Sequence, residues 1–151
     1  MDTKLLSLFF PAELVDYFTI TRFQTLCSLE TKTEYCLIEL EEKNQLPEGY
    51  FATEYESKGF MESKLIQDFP LRGKAVFLKL KIRRWRHKQT GAIIKRDFSF
   101  ITDGSKLTQE LSDFLKGASG YKARHHQQHR ELLRREGSNA AAALQTKNKR
   151  L

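Results

Sequence analysis

A small α+β domain with a basic β-hairpin is the fold this sequence predicts, and three observations predict it. Val76, Leu78, Leu80 and Ile82 alternate with Phe77, Lys79, Lys81 and Arg83, the period-two pattern of a strand with one buried face. Apolar residues at helical spacing form short blocks near both ends of the first 117 residues. The length, 151 residues, suits one ordinary domain with a tail. The expected architecture is α+β: a small antiparallel sheet with a prominent basic β-hairpin, flanking helices, and a basic helical C-terminal tail. The expected boundaries are a domain at 1–117 and a tail at 118–151.

The elements follow in chain order. Leu5, Leu6, Leu8 and Phe9 precede Pro11, whose missing N–H suits the first turn of a new helix. Leu14, Val15 and Phe18 give that helix its apolar stripe. Phe18–Leu26 is rich in Thr and aromatics and Tyr35–Glu41 in apolar residues, so both read as strands joined by a hairpin connection. Asn44–Gly73 holds two of the three prolines and three glycines and reads mostly as loop, with a short strand around Lys64–Phe69. From about Lys74 to Ile101 a hairpin is predicted, with Lys88–Gly91 as its turn and Ile93–Ile101 as the returning strand. A helix follows, capped by Thr108, with Leu111, Phe114 and Leu115 as its buried stripe and Gly117 as its stop. Tyr121–Glu136 is basic and helix-forming, and Gly137–Leu151 is an Ala run ending in KNKRL.

The charge balance narrows the function classes. There are 26 Lys and Arg against 19 Asp and Glu, a net charge of +7. Met1–Pro70 holds 6 basic and 13 acidic residues, whereas Leu71–Leu151 holds 20 basic and 6 acidic. A basic second half points to a polyanionic partner, nucleic acid first. No apolar run approaches the roughly 18 residues of a membrane span, and the N-terminus lacks the features of a signal peptide. Two cysteines, Cys27 and Cys36, make no disulfide framework; they read as structural thiols in a cytoplasmic chain.

Between Arg72 and Arg96 lie ten Lys or Arg and no acid. The alternation sets Lys79, Lys81, Arg83 and Trp85 on one face, with Phe77 at its start; Arg84 and Arg86 take the other parity. His87, Lys88, Lys95 and Arg96 extend the set over the tip and the return strand. Such a ribbon can place cations at phosphate spacing and offer Trp85 for packing or stacking. The expected nucleic-acid-binding residues are therefore Lys79, Lys81, Arg83, Arg84, Trp85, Arg86, Lys88, Lys95 and Arg96. The competing interpretation is that Lys and Arg merely solubilise the outer face of a half-buried strand.

His125, His126 and His129 have spacings that could meet on one helical face, but no Cys or carboxylate stands nearby to complete a metal site. No glycine-rich phosphate loop, nucleophile motif or converging carboxylate set occurs. No catalytic residue, metal or cofactor is expected.

The blocks DYFTIT (Asp16–Thr21), IELEEKNQLPEGY (Ile38–Tyr50), ESKGF (Glu56–Phe60), IQDFPLRGKAVFL (Ile66–Leu78), RRWRHKQTGAIIKRDF (Arg83–Phe98) and LTQELSDFLK (Leu107–Lys116) stand out. Together they resemble the short N-terminal-region proteins of insertion-sequence transposases from Bacteroidetes mobile elements. The resemblance covers roughly Leu8 to Lys116. It implies a non-catalytic, DNA-binding accessory part of a transposase, with the strand-transfer triad in a separate, larger region. Its implied partners are the transposon ends and a catalytic transposase subunit or downstream region, with no membrane. A broader transposase superfamily has a zinc-binding N-terminal region similar to DFPLRGKAVFLKLKIRRW, with a cysteine after the paired arginines. Here Arg86-His87-Lys88 stands in that place, which argues against zinc. The alternatives are a module that docks a separate catalytic subunit, and a small RNA-binding or nuclease domain.

Overall fold

In the computed structural model, which describes residues 2–102, 104–118 and 134, the β-strands form two small sheets. The first has the order β1-β2-β5-β4, from strands Phe18–Cys27 (β1), Glu34–Glu42 (β2), Lys64–Leu71 (β4) and Lys74–Lys81 (β5). The second has the order β3-β6-β7, from Tyr55–Phe60 (β3), Arg83–His87 (β6) and Ile93–Lys95 (β7). Helices α1 (Thr3–Leu6) and α2 (Ala12–Tyr17) precede β1, and α3 (Gln109–Gly117) follows β7. The class is α+β, as expected. The chain divides into two compact units, Met1–Ser112 and Asp113–Leu151, with the division inside α3. The basic tail at 118–151 and its three histidines lie outside the described residues, apart from Ala118 and Arg134.

The expected hairpin of 74–101 is corrected. β5 pairs antiparallel with the strand before it, β4, and parallel with β2. The β4–β5 connection is the two-residue turn Arg72-Gly73, with φ of 54° and 77°. Positive φ at both central residues is what the tight turn of a right-twisted hairpin requires. At Ile82, whose carbonyl accepts from Met61 N–H at 2.8 Å, the chain leaves the first sheet. It continues in the second as β6, between β3 and β7. The longest hairpin is thus a bent one, with β3 and β4 antiparallel to β6 and β5. Only the short β6–β7 pairing survives from the expected return strand.

Parallel pairing of β2 with β5 makes both strands central, and their residues are buried on both faces over Tyr35–Ile38 and Val76–Leu78. One face carries the main core: Leu14, Phe18, Cys36, Ile38, Leu40, Ile66, Val76, Leu78 and Leu80, with Phe98 and Phe100 packed among them. Phe18 and Phe98 lie 5.0 Å apart between ring centroids. On the other face Tyr35 and Phe77 meet edge to face at 5.8 Å. Edge-to-face contact aligns the positive ring edge with the negative ring face.

Thr108 caps α3, as expected: its hydroxyl accepts from Leu111 N–H at 3.4 Å and donates to Asp68 Oδ1 at 2.9 Å. Leu111 and Leu115 are buried, whereas Phe114 is 59% exposed and departs from the expected stripe.

Candidate nucleic-acid interface

Nine of the ten cations of the acid-free segment fall into three environments; the tenth, Arg72, is exposed in the turn between β4 and β5. In the first sheet the lysines of β5 meet glutamates of β2. Lys74 pairs with Glu34 at 2.8 Å, Lys79 with Glu39 at 3.6 Å and Lys81 with Glu41 at 2.8 Å. The parallel register sets Glu39 beside Lys79 and Glu41 beside Lys81. Hydrogen bonding to the carboxylates holds Lys74 and Lys81 above the ordinary lysine pKa. A face that looks purely basic from one strand is therefore a face of alternating sign once its neighbour is in place.

The second environment is the junction between the sheets, built around Glu42. This carboxylate is 1% exposed. It accepts from Arg83 N–H at 2.8 Å and from Arg96 Nε at 3.4 Å, while its own carbonyl accepts from Arg83 Nε at 3.2 Å. Arg96 also donates to the Gln45 carbonyl at 2.8 Å and stacks over the Tyr17 ring at 4.0 Å. Arg83 donates to Ser57 Oγ and lies over Phe60 at 4.5 Å. Burial raises the Glu42 pKa above the usual glutamate value; the Arg83 N–H and the Arg96 charge oppose that shift. Arg83 and Arg96 are committed to joining the sheets. Sequence reasoning missed Glu42, because it sits in the ordinary-looking pair Glu41-Glu42 beside a turn.

The third environment is the outer face of the second sheet. Register sets Arg84 opposite Lys95 and Arg86 opposite Ile93 and Glu56. Arg86 is bound by Glu56, whose carboxyl is held below its ordinary value mainly by that hydrogen bond. Lys95 pairs with the exposed Asp97 at 3.0 Å. Lys88 donates to the carbonyls of Ala52 and Thr53 at 3.0 and 3.2 Å. Arg84 is exposed and its Nε donates to the Lys58 carbonyl at 3.3 Å; among the described residues no carboxylate pairs with it. Like charges directly opposite each other cost stability in a sheet, so the Arg84–Lys95 apposition adds nothing to folding.

Trp85, expected either to pack or to stack, packs, and its burial takes it out of the expected nucleic-acid-binding set. It is 1% exposed, on the inner face of β6 opposite Ser57 and Ile94, and its indole N–H donates to Asn44 Oδ1 at 3.0 Å. Phe77, at 2% exposure, is likewise buried. The expected set therefore does not form one surface: Lys79 and Lys81 belong to the first sheet, Arg83 and Arg96 to the junction, and Arg84, Arg86, Lys88 and Lys95 to the second. A sequence signal for this does exist. Acids at 34, 39 and 41 recur as lysines at 74, 79 and 81, a constant offset of 40, which parallel pairing produces. Among the described residues, no group of three His, Cys, Asp or Glu is placed to hold a metal ion, and no helix is long and apolar enough to cross a membrane. Comparison with family models, curated proteins and solved structures found no match for the chain.

Proposed function

We propose that this chain is a non-catalytic, DNA-binding accessory part of a transposase, which positions the transposition machinery on element-end DNA while strand transfer is performed elsewhere. One observation carries the DNA-binding part: Arg84 and Lys95 stand directly opposite each other on the exposed face of β6–β7. Lys95 already has the exposed Asp97 beside it, whereas no carboxylate pairs with Arg84 among the described residues; an anion bridging the two would relieve their like-charge apposition. Arg86 and Lys88 flank the pair on the same strand and its following turn. The transposase context comes from the resemblance of the DFPLRGK and RRWR–IKRDF blocks, which contain this same strand.

The proposal separates two groups of cations. Replacing Arg84 and Lys95 together with alanine is expected to weaken binding to element-end duplex and to lower the slope of log affinity against log salt by about 2, one counterion-releasing phosphate contact for each residue. Replacing Lys79 and Lys81, which lie on the other sheet and pair across it with Glu39 and Glu41, leaves both quantities unchanged. Fluorescence anisotropy across a salt series measures both. Equal effects from the two double variants, or no DNA binding by the wild-type chain, would overturn the reading. Metal-dependent degradation of the oligonucleotide would replace it with a nuclease, and tighter binding to RNA with an RNA-binding domain.

A further inference from the structure

The two edges of the four-stranded sheet are treated differently. At the β4 edge the chain returns to cover the strand. Gln67 N–H donates to the Lys106 carbonyl at 2.7 Å, and Thr108 N–H donates to the Gln67 carbonyl at 2.9 Å. The same edge carries Pro70 and a register irregularity between Asp68 and Leu71. These are the devices that stop one sheet edge from pairing with another.

At the β1 edge no such cover occurs among the described residues. Among the described residues β1 is the outer strand and pairs with β2 alone. A bulge at Thr21 interrupts its first half, between Ile20 and Arg22. Beyond the bulge, Arg22–Cys27 is a regular six-residue run against Glu39–Glu34. It contains no Pro, no Gly, no Lys and a single charge. Phe23 lies 60% exposed on it, in register with the buried Ile38, and Cys27 is exposed at its end. A regular, nearly neutral strand with an unshielded backbone is a template for another strand.

We propose that this edge pairs with the same edge of a second copy of the chain, antiparallel about a two-fold axis at Thr25, joining two four-stranded sheets into one. Self-pairing fits the side chains. A two-fold at Thr25 pairs Phe23–Cys27 within the regular run and sets Thr25 against Thr25 of the other copy. It also sets Gln24 against Leu26, and Phe23 against Cys27. Thr–Thr pairs across antiparallel strands are favourable. The only charge, Arg22, falls opposite Ser28 and never meets its own copy, so the pairing carries no like-charge contact. Isologous contact of one patch with itself is the commonest symmetry of protein dimers.

Charge exchange at the axis tests this on the full-length chain. Thr25 is exposed, so Thr25→Lys and Thr25→Glu leave the fold intact while each places like charges face to face across the two-fold. Sedimentation equilibrium is expected to show a concentration-dependent dimer for the wild type, monomer for either variant alone, and a heterodimer when the two are mixed. The mixed pair should associate about tenfold more tightly than either variant with itself. Phe23→Cys adds a register readout: oxidation should give a disulfide-linked dimer through Cys27 of the other copy, and Cys27→Ser should abolish it. The two positions are about 13 Å apart within one strand, so the bond cannot close inside one chain. A wild type that stays monomeric, a dimer indifferent to Thr25→Lys, or variants that fail to reassociate on mixing would each overturn the proposal. So would a monomer whose β1 edge binds only an extended segment of another protein.

Discussion

Replacing Glu42 with alanine removes the one buried carboxylate at which the two sheets meet. Its side chain is 1% exposed and that of Arg96 13%, so little solvent is available to compensate either loss. The substitution leaves the Arg83 N–H without its acceptor, which costs about 1–3 kcal/mol for a buried donor. It also strips Arg96 of its counter-charge; breaking a buried pair from one side costs about 3–5 kcal/mol. These terms overlap, and Arg96 retains the Gln45 carbonyl and the Tyr17 ring. The expected destabilisation is therefore near the low end, about 3 kcal/mol. Against a total of about 5–15 kcal/mol for a domain, that is a large fraction, and the melting temperature should fall by roughly 12 °C or more.

The assay is urea unfolding followed by far-UV circular dichroism, with two further variants. Glu42→Gln keeps an acceptor for the Arg83 N–H but turns an amide donor toward Arg96, and should cost less than alanine. The double variant Glu42→Ala with Arg96→Met removes both charges and should recover part of the loss, because no uncompensated cation remains. A cost below about 1 kcal/mol for Glu42→Ala, or no recovery in the double variant, would refute the role assigned to the junction.

Asp68, 3% exposed, predicts a pH dependence. Burial raises its pKa, against the lowering effect of hydrogen bonds from Phe69 N–H and the Thr108 hydroxyl. A carboxyl raised in the folded state binds more protons folded than unfolded. Its contribution is then full below the ordinary Asp pKa of about 3.9 and is lost as pH rises through the folded value. Asp68→Asn should flatten that decline and gain on the wild type as pH goes from 4 to 7; urea midpoints that move in parallel would contradict it. Trp85, the single tryptophan, should emit at short wavelength, resist acrylamide, and stay unquenched when DNA is added. Trp85→Ala should cost about 3–5 kcal/mol; strong quenching by DNA would instead return the ring to the interface.

Local signals carried much of this fold and failed where partners are distant. β1, β2 and α3 are legible because their patterns are short-range: Thr and aromatic alternation, an apolar run, a cap three residues before a buried leucine. The stretch Asn44–Gly73, expected to be mostly loop with a short strand around Lys64–Phe69, holds that strand as β4, which runs on to Leu71, and also β3. β4 is buried on both sides at Ile66, Gln67 and Asp68, so it shows no period of two, and Asp68 and Pro70 argue locally against a strand. β3 is short and polar and bends at Gly59, where φ is 81°. The hairpin went to the wrong partner because Lys88–Gly91 looks like the stronger turn, whereas the two-residue Arg72-Gly73 connection is the one between long strands. In the candidate site, the identity of the cations is local but their neutralisation is not, since Glu34, Glu39 and Glu41 each come 40 positions before their lysines.

That distance gives the charge split of the sequence a structural meaning. The acidic half supplies Glu34, Glu39, Glu41 and Glu42, and the basic half supplies the residues they hold. Exposed pairs of this kind contribute little stability individually, and β2 is held mainly by its buried Cys36, Ile38 and Leu40. Their effect is on register. A slip of one residue between β2 and β5 turns every core side chain to the opposite face and is already excluded by burial. A slip of two residues keeps the faces correct, so apolar burial alone opposes it weakly. Yet it sets Glu34 against Val76 in one direction and Glu39 against Phe77 in the other. Only the observed register matches all three lysines, so the pairs select one alignment among those the core would tolerate. Cations used in this way are drawn away from any partner; the exposed Arg84, with which no carboxylate pairs among the described residues, is not one of them.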